Sequence, residues 1–145
     1  MKGIITLLML WAIGTSAALA QDRLNIGALF DGRYHDEPRA SETQISGDKL
    51  ERYALSLYRS LTLTDYPEAA DDIEPLVTRD AAKAVDREVS YRDGGLYYGF
   101  YQLKPSGVKQ RYLFYLNQNR NGGNKIILIY LEGMASRDKI KEMLK

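Results

Sequence analysis

The sequence predicts an α+β domain: a four-stranded antiparallel meander, extended by earlier strands, with helices packed on one face. Three observations lead there. Four strand-like runs fill residues 85–132, separated by Asp93-Gly94-Gly95, Lys104-Pro105-Ser106-Gly107 and Asn121-Gly122-Gly123. Glycine beside Asp or Asn supplies the positive φ that tight hairpin turns need. Ahead of them, Ala69, Ala70, Ile73, Leu76, Val77, Ala81 and Ala84 recur at helical spacing. Behind them, Ser136 opens a short amphipathic segment with Ile140, Met143 and Leu144 on one side.

The first residues read as an export signal. Lys2 gives a positive start, Ile4 to Ile13 is mostly apolar, and Ala18-Leu19-Ala20 suits signal peptidase. The run is too short to cross ~30 Å of hydrocarbon. The expected division is therefore a signal peptide over 1–20 and a single α+β domain over 21–145. Cleavage after Ala20 removes Lys2 and leaves 125 of the 145 residues with no formal net charge. The expected location is periplasmic or extracellular, without membrane insertion after cleavage.

In the remainder, Asp22 to Phe30 reads as a first helix and Asp31 to Pro38 as a polar loop. Ser41 to Ser46 reads as a short edge strand. Tyr53 to Thr64 alternates, with Leu55, Leu57, Leu61 and Leu63 on one parity, and a helical turn around Leu50 and Tyr53 precedes it. Arg59 falls on the apolar parity and needs a partner or a bend. Asp65, Pro67 and Glu68 start the main helix, and Pro75 is expected to kink or split it near Asp72.

A two-residue turn at Asp93-Gly94 or at Gly94-Gly95 would in either case put Val89, Tyr91, Leu96, Tyr98 and Phe100 on one face. Being the more apolar set, it is assigned to the helix-covered core, with Tyr112, Phe114 and Leu116. Tyr97, Tyr101, Leu113 and Tyr115 then face outward. The run Ile126 to Leu131 is apolar on both parities, a sign of burial on both sides. Seven of the eleven tyrosines lie between Tyr91 and Tyr130. Tyr97, Tyr101 and Tyr115, with Arg92 beside them, are the candidate binding residues. Either the N-terminal helix or the early strands cover this face, with the tyrosine hydroxyls at its rim, or it forms a flat aromatic platform for a protein, a glycan or a second copy in a weak homodimer.

Composition excludes much chemistry. There is no cysteine, hence no disulfide, thiolate metal site or lipoprotein attachment, and His35 is the one histidine. A Ser-His-Asp triad would have to use His35, yet no nucleophile elbow is present, and His35 sits in the polar loop beside Asp36 and Glu37. Asn117 to Leu128 fails as a calcium loop, because Arg120 intrudes and Leu128 stands where a bidentate Glu is needed. Asp71, Asp72 and Glu74 read as a solvated helix face. No phosphate-binding loop and no basic patch suited to nucleic acid occur. No catalytic residue, metal ligand or cofactor is expected.

The runs Leu29 to Tyr34, Tyr58 to Thr62, Ala84 to Tyr91 and Leu96 to Tyr101 carry a resemblance. On them the chain resembles an uncharacterised family of small exported proteins of Gram-negative gut bacteria, a domain of unknown function. The resemblance implies export and one small domain, and no activity. The expectation is an exported, non-enzymatic domain that binds a partner or ligand through its tyrosine-rich sheet face. The alternatives are a carboxylate-based hydrolase and a structural subunit of an envelope complex. Intact mass of the exported protein is expected to show a chain starting at Gln21; a membrane-held product retaining residues 1–20 would refute the export signal.

Overall fold

The computed structural model describes residues 24–144, so the export segment and its cut after Ala20 lie outside the described residues. Six strands form one antiparallel sheet: β1 (Ala40–Ser46), β2 (Leu55–Thr64), β3 (Asp86–Arg92), β4 (Gly95–Ser106), β5 (Lys109–Arg120) and β6 (Gly123–Gly133). Their order is β1-β2-β6-β5-β4-β3. The sheet therefore has six strands where the meander alone supplies four. The early hairpin joins because Leu61 and Leu63 need the same cover as their partners Leu128 and Ile126 on β6.

The helices do not share a face. Helix α1 (Ala70–Ala81) buries Ile73, Val77 and Ala81 on one side, against Leu61, Leu63, Leu113, Tyr115, Ile126 and Leu128. Helix α2 (Arg137–Met143) buries Ile140 on the other, with Phe100, Tyr112, Phe114, Ile129 and Leu131. The expectation of helices on one face is thus corrected. Both parities of β5 and β6 are apolar, so each side of the sheet needs a cover.

Several local expectations also change. Pro75 does not split α1; it lies exposed on the outer side, where water can take the carbonyl its ring leaves unpaired. Asp65 does not cap the helix. Its backbone has φ 55°, and its Oδ1 accepts from Asn124 N at 3.0 Å, which closes the end of β6. Between Leu24 and Arg33 the chain makes short turns instead of a regular helix, ending in a π-helical turn over Leu29–Arg33 that breaks at Gly32. The turn before β2 is a 3-10 helix over Gly47–Tyr53. Ser136 caps α2, accepting from Lys139 N at 3.3 Å.

The N-terminal segment closes the α1 side of the core by burying Ile26 and Leu29. Asp80 holds it: this carboxylate, 9% exposed, accepts from Asn25 N at 2.7 Å, Asn25 Nδ2 at 2.8 Å and Ile26 N at 2.9 Å. Arg59 finds its partner in the same segment, donating to Phe30 O at 3.4 Å with its guanidinium over the Phe30 ring. On the other side, Arg137 pairs with Asp86 at 3.0 Å and Glu88 at 3.2 Å, and Lys141 reaches Glu88 at 2.6 Å, tying α2 to β3.

Asp80→Ala should leave the Ile26 amide buried without an acceptor and cost about 1–3 kcal/mol. Asp80→Asn, which keeps an acceptor, should cost less. Urea unfolding of the two variants checks this, and equal small losses would show that the segment does not depend on Asp80.

Candidate functional site

One bulge sets which residues of β3 and β4 share a face. Asp93 and Gly94 form the tight turn, with φ of 52° and 80°. Arg92 pairs with Gly95 and Tyr91 with Leu96, but Ser90 pairs with Tyr98, so Tyr97 is an extra residue on β4. An extra residue reverses the facing of everything beyond it. Leu96 and Tyr101 consequently both lie on the α1 side, while Tyr98 and Phe100 lie on the α2 side.

Tyr101, Leu113 and Tyr115 do share one face, opposite Tyr98, Phe100, Tyr112 and Phe114, but α1 covers that face, which corrects the outward, exposed position expected of them. Their exposures are 4%, 0% and 0%. The Tyr101 ring folds back over Gly99 so closely that a Cβ there would meet it at 2.6 Å, and only glycine leaves room for this packing. Tyr97 and Arg92 remain at the surface and pair with each other, the guanidinium 3.6 Å from the ring centroid. The four candidate residues are thus divided between the α1-side core and one end of the β3–β4 hairpin, and form no common platform. Tyr91, beside that turn, is 68% exposed.

The carboxylates divide as well. Asp71 and Asp72 are exposed, and Asp72 accepts from the Tyr34 hydroxyl at 3.3 Å. Glu74 turns inward, accepting from Leu96 N at 3.0 Å, and so ties α1 to β4. At the β5–β6 turn an open hollow of about 820 Å³ is lined by Asp65, Pro67 and residues 119–124. Its buried amide, Asn124, donates to Asn117 Oδ1 at 2.9 Å and Asn119 Oδ1 at 2.8 Å. Both Nδ2 hydrogens of Asn124 are thus paired across the hairpin, in keeping with turn chemistry, while its buried Oδ1 has no partner among the described residues. No group of three or more His, Asp or Glu suited to a metal ion occurs among the described residues.

The feature that sequence reasoning missed lies on the α2 side. The pairing places Tyr98, Leu116, Ile127 and Thr62 in one row across four adjacent strands. All four are half-buried. The next row, Phe100, Phe114, Ile129 and Ser60, is buried, and α2 covers the sheet from there onward. On the other flank Gln118, Lys125 and Thr64 form a polar margin. The result is a partly exposed apolar shelf of Tyr98, Leu116 and Ile127 about 10 Å wide, from strand spacings of about 4.8 Å, with the polar Thr62 at its end. Tyr98 stands edge-on to Phe114, with ring centroids 5.7 Å apart. The double apolar parity of Ile126 to Leu131 was its one visible signal.

Burial pushes the Tyr101 hydroxyl up to about 12 from its ordinary 10.0. Burial, aided by the Asp72 carboxylate, pushes Tyr34 up to about 12 as well. Burial also raises Tyr115 and Tyr130, the latter helped by Glu132. An acid whose pKa folding raises favours the folded state while it stays protonated. This contribution is whole below about pH 10 and is lost as pH rises through about 12. Urea midpoints should fall across that window, together with the rise in tyrosinate absorbance, and Tyr101→Phe should flatten the fall. A midpoint independent of pH there would contradict the burial of these hydroxyls.

A model of a family of unknown function, DUF6108, matches residues 13–144. No curated protein and no solved structure matches the chain. The family match spans every strand and both helices, from within the apolar N-terminal run to the end of α2, and the chain belongs to this family, DUF6108, a family of unknown function.

Proposed function

We propose that the protein is exported and works as a non-enzymatic binding domain, with the half-covered shelf of Tyr98, Leu116 and Ile127 as its docking surface for a partner protein. One observation carries this reading: three apolar residues on neighbouring strands, Tyr98, Leu116 and Ile127, stay partly exposed beside the buried Phe114 and Ile129, where α2 stops covering the sheet. Large apolar surface rimmed by polar residues is characteristic of interaction sites. The exposed Lys125 on the margin takes no part in an ion pair among the described residues. A fitting partner is an amphipathic segment, its apolar side on the shelf and an acidic residue toward Lys125.

The non-enzymatic part is supported by the carboxylates, since Glu74 and Asp80 are spent on backbone amides. The export part is supported by the positive start, apolar run and Ala18-Leu19-Ala20.

A photo-crosslinking residue at Ile127, compared with one at the exposed Val108 at the opposite end of the sheet, tests the surface. The expected result is a partner trapped from position 127 alone, whose binding is reproduced with purified components and weakened at least about tenfold by Leu116→Glu, a difference of about 1.4 kcal/mol. The variant must still melt cooperatively. Identical products from both positions, or unchanged binding by a folded Leu116→Glu protein, would refute the reading. A response on a glycan panel in place of a protein would make the occupant a carbohydrate.

A further inference from the structure

The two edges of the sheet are finished differently. Edge strand β3 is protected in several ways. It carries Asp86, Arg87, Glu88 and Arg92, it faces the bulge at Tyr97, and Arg137 and Lys141 of α2 are tied to it. Such devices keep an edge from pairing with another chain. Edge strand β1 has neither a bulge nor a helix tied to it by an ion pair among the described residues, and it carries a single charge. Its seven residues, Ala40–Ser46, pair with β2 without a break in register. They include no Pro, Gly or Lys, and Glu42 is their one charge. Residues 41–44 are all exposed.

The outer edge of β1 also offers its backbone. Thr64 N donates to Arg39 O, so the odd-numbered residues direct their backbone groups toward β2. Glu42 and Gln44 then turn their N–H and C=O groups outward, by the alternation of an antiparallel ladder.

We propose that β1 pairs antiparallel with β1 of a second copy of this chain, about a two-fold axis at Thr43, joining two six-stranded sheets into one. The strand is complementary to itself in this register. Glu42 exchanges its outward hydrogen bonds with Gln44 of the partner subunit, which sets a carboxylate opposite an amide. Thr43 lies opposite Thr43 of the partner subunit, a favourable cross-strand pair. Ala40 meets Ser46 of the partner subunit, so the whole strand overlaps. Sliding the pair toward the N-terminus would set Glu42 against Glu42 of the partner subunit, and like charges directly opposite are destabilising. Sliding it the other way shortens the overlap. The formal charge of +1 opposes association very little. This edge is separate from the shelf, so the dimer leaves both shelves free.

Edge pairing buries little surface, so the dimer should be weak, with a dissociation constant on the order of tens of micromolar. Sedimentation equilibrium of the purified protein should show this monomer–dimer exchange. Gln44→Pro should abolish the dimer with an unchanged melting curve, because proline is tolerated on an edge where the N–H faces solvent. Gln44→Glu should weaken dimerisation about tenfold and Gln44→Lys should strengthen it. If Gln44→Pro fails to fold, hydrogen exchange needs no variant: the Glu42 and Gln44 amides should become protected as concentration rises. A protein that stays monomeric at about 1 mM overturns the proposal. So does a dimer that survives in folded Gln44→Pro, or one that Gln44→Glu and Gln44→Lys shift in the same direction. A dimer lost in folded Leu116→Glu and kept in Gln44→Pro would place self-association on the shelf instead.

Discussion

The structure depends on a sheet whose central strands are apolar on both sides. On β6, Ile126 and Leu128 point to one face and are fully buried, while Ile129 and Leu131 point to the other and are 9% and 1% exposed. β5 repeats the pattern with Leu113 and Tyr115 against Tyr112 and Phe114. No single layer of helices can bury such strands. The chain answers with two covers drawn from different regions: α1 with the N-terminal segment on one face, α2 with the 3-10 turn before β2 on the other. β6 lies inside the sheet because its two apolar faces and both backbone edges then find partners.

Apolar burial is not directional, so the covers are located by polar ties at their rims. Asp80 holds the N-terminal segment to α1, and Glu74 holds α1 to β4. The Tyr112 hydroxyl donates to Ala135 O at 2.8 Å and fixes the chain as it leaves β6 for α2. These bonds pair backbone groups that burial would otherwise strand, which is where a single lost acceptor is felt most. The ion pairs of α2 with β3 are half-exposed and add less.

The shelf follows from a difference in length. Helix α2 has seven residues and spans about 10 Å, whereas β5 and β6 are far longer. One cover is therefore too short for the face it protects, and the row from Tyr98 to Thr62 is where it ends. α1 is longer and is continued by the N-terminal segment, so the opposite face closes over Tyr101 and Tyr115.

Local chemistry was legible in the sequence. Asp93-Gly94 and Asn121-Gly122 gave the turns of two hairpins because few other pairs adopt two consecutive positive φ angles. The helical spacing from Ala69 to Ala81, the Ser136 cap and the need of Arg59 for a partner were also readable. What the sequence left open was facing. One extra residue, Tyr97, reverses the parity of β4, and a bulge is defined by the partner strand and so is invisible in its own strand's pattern. Leu96 thereby joins Tyr101 on the α1 side, and Tyr101 is buried because α1 covers that face while Tyr98 lies where α2 ends. Only the tertiary structure could decide this. An apolar strand that is buried on both faces carries no periodic signal for which side each cover will occupy, or for how far that cover will reach.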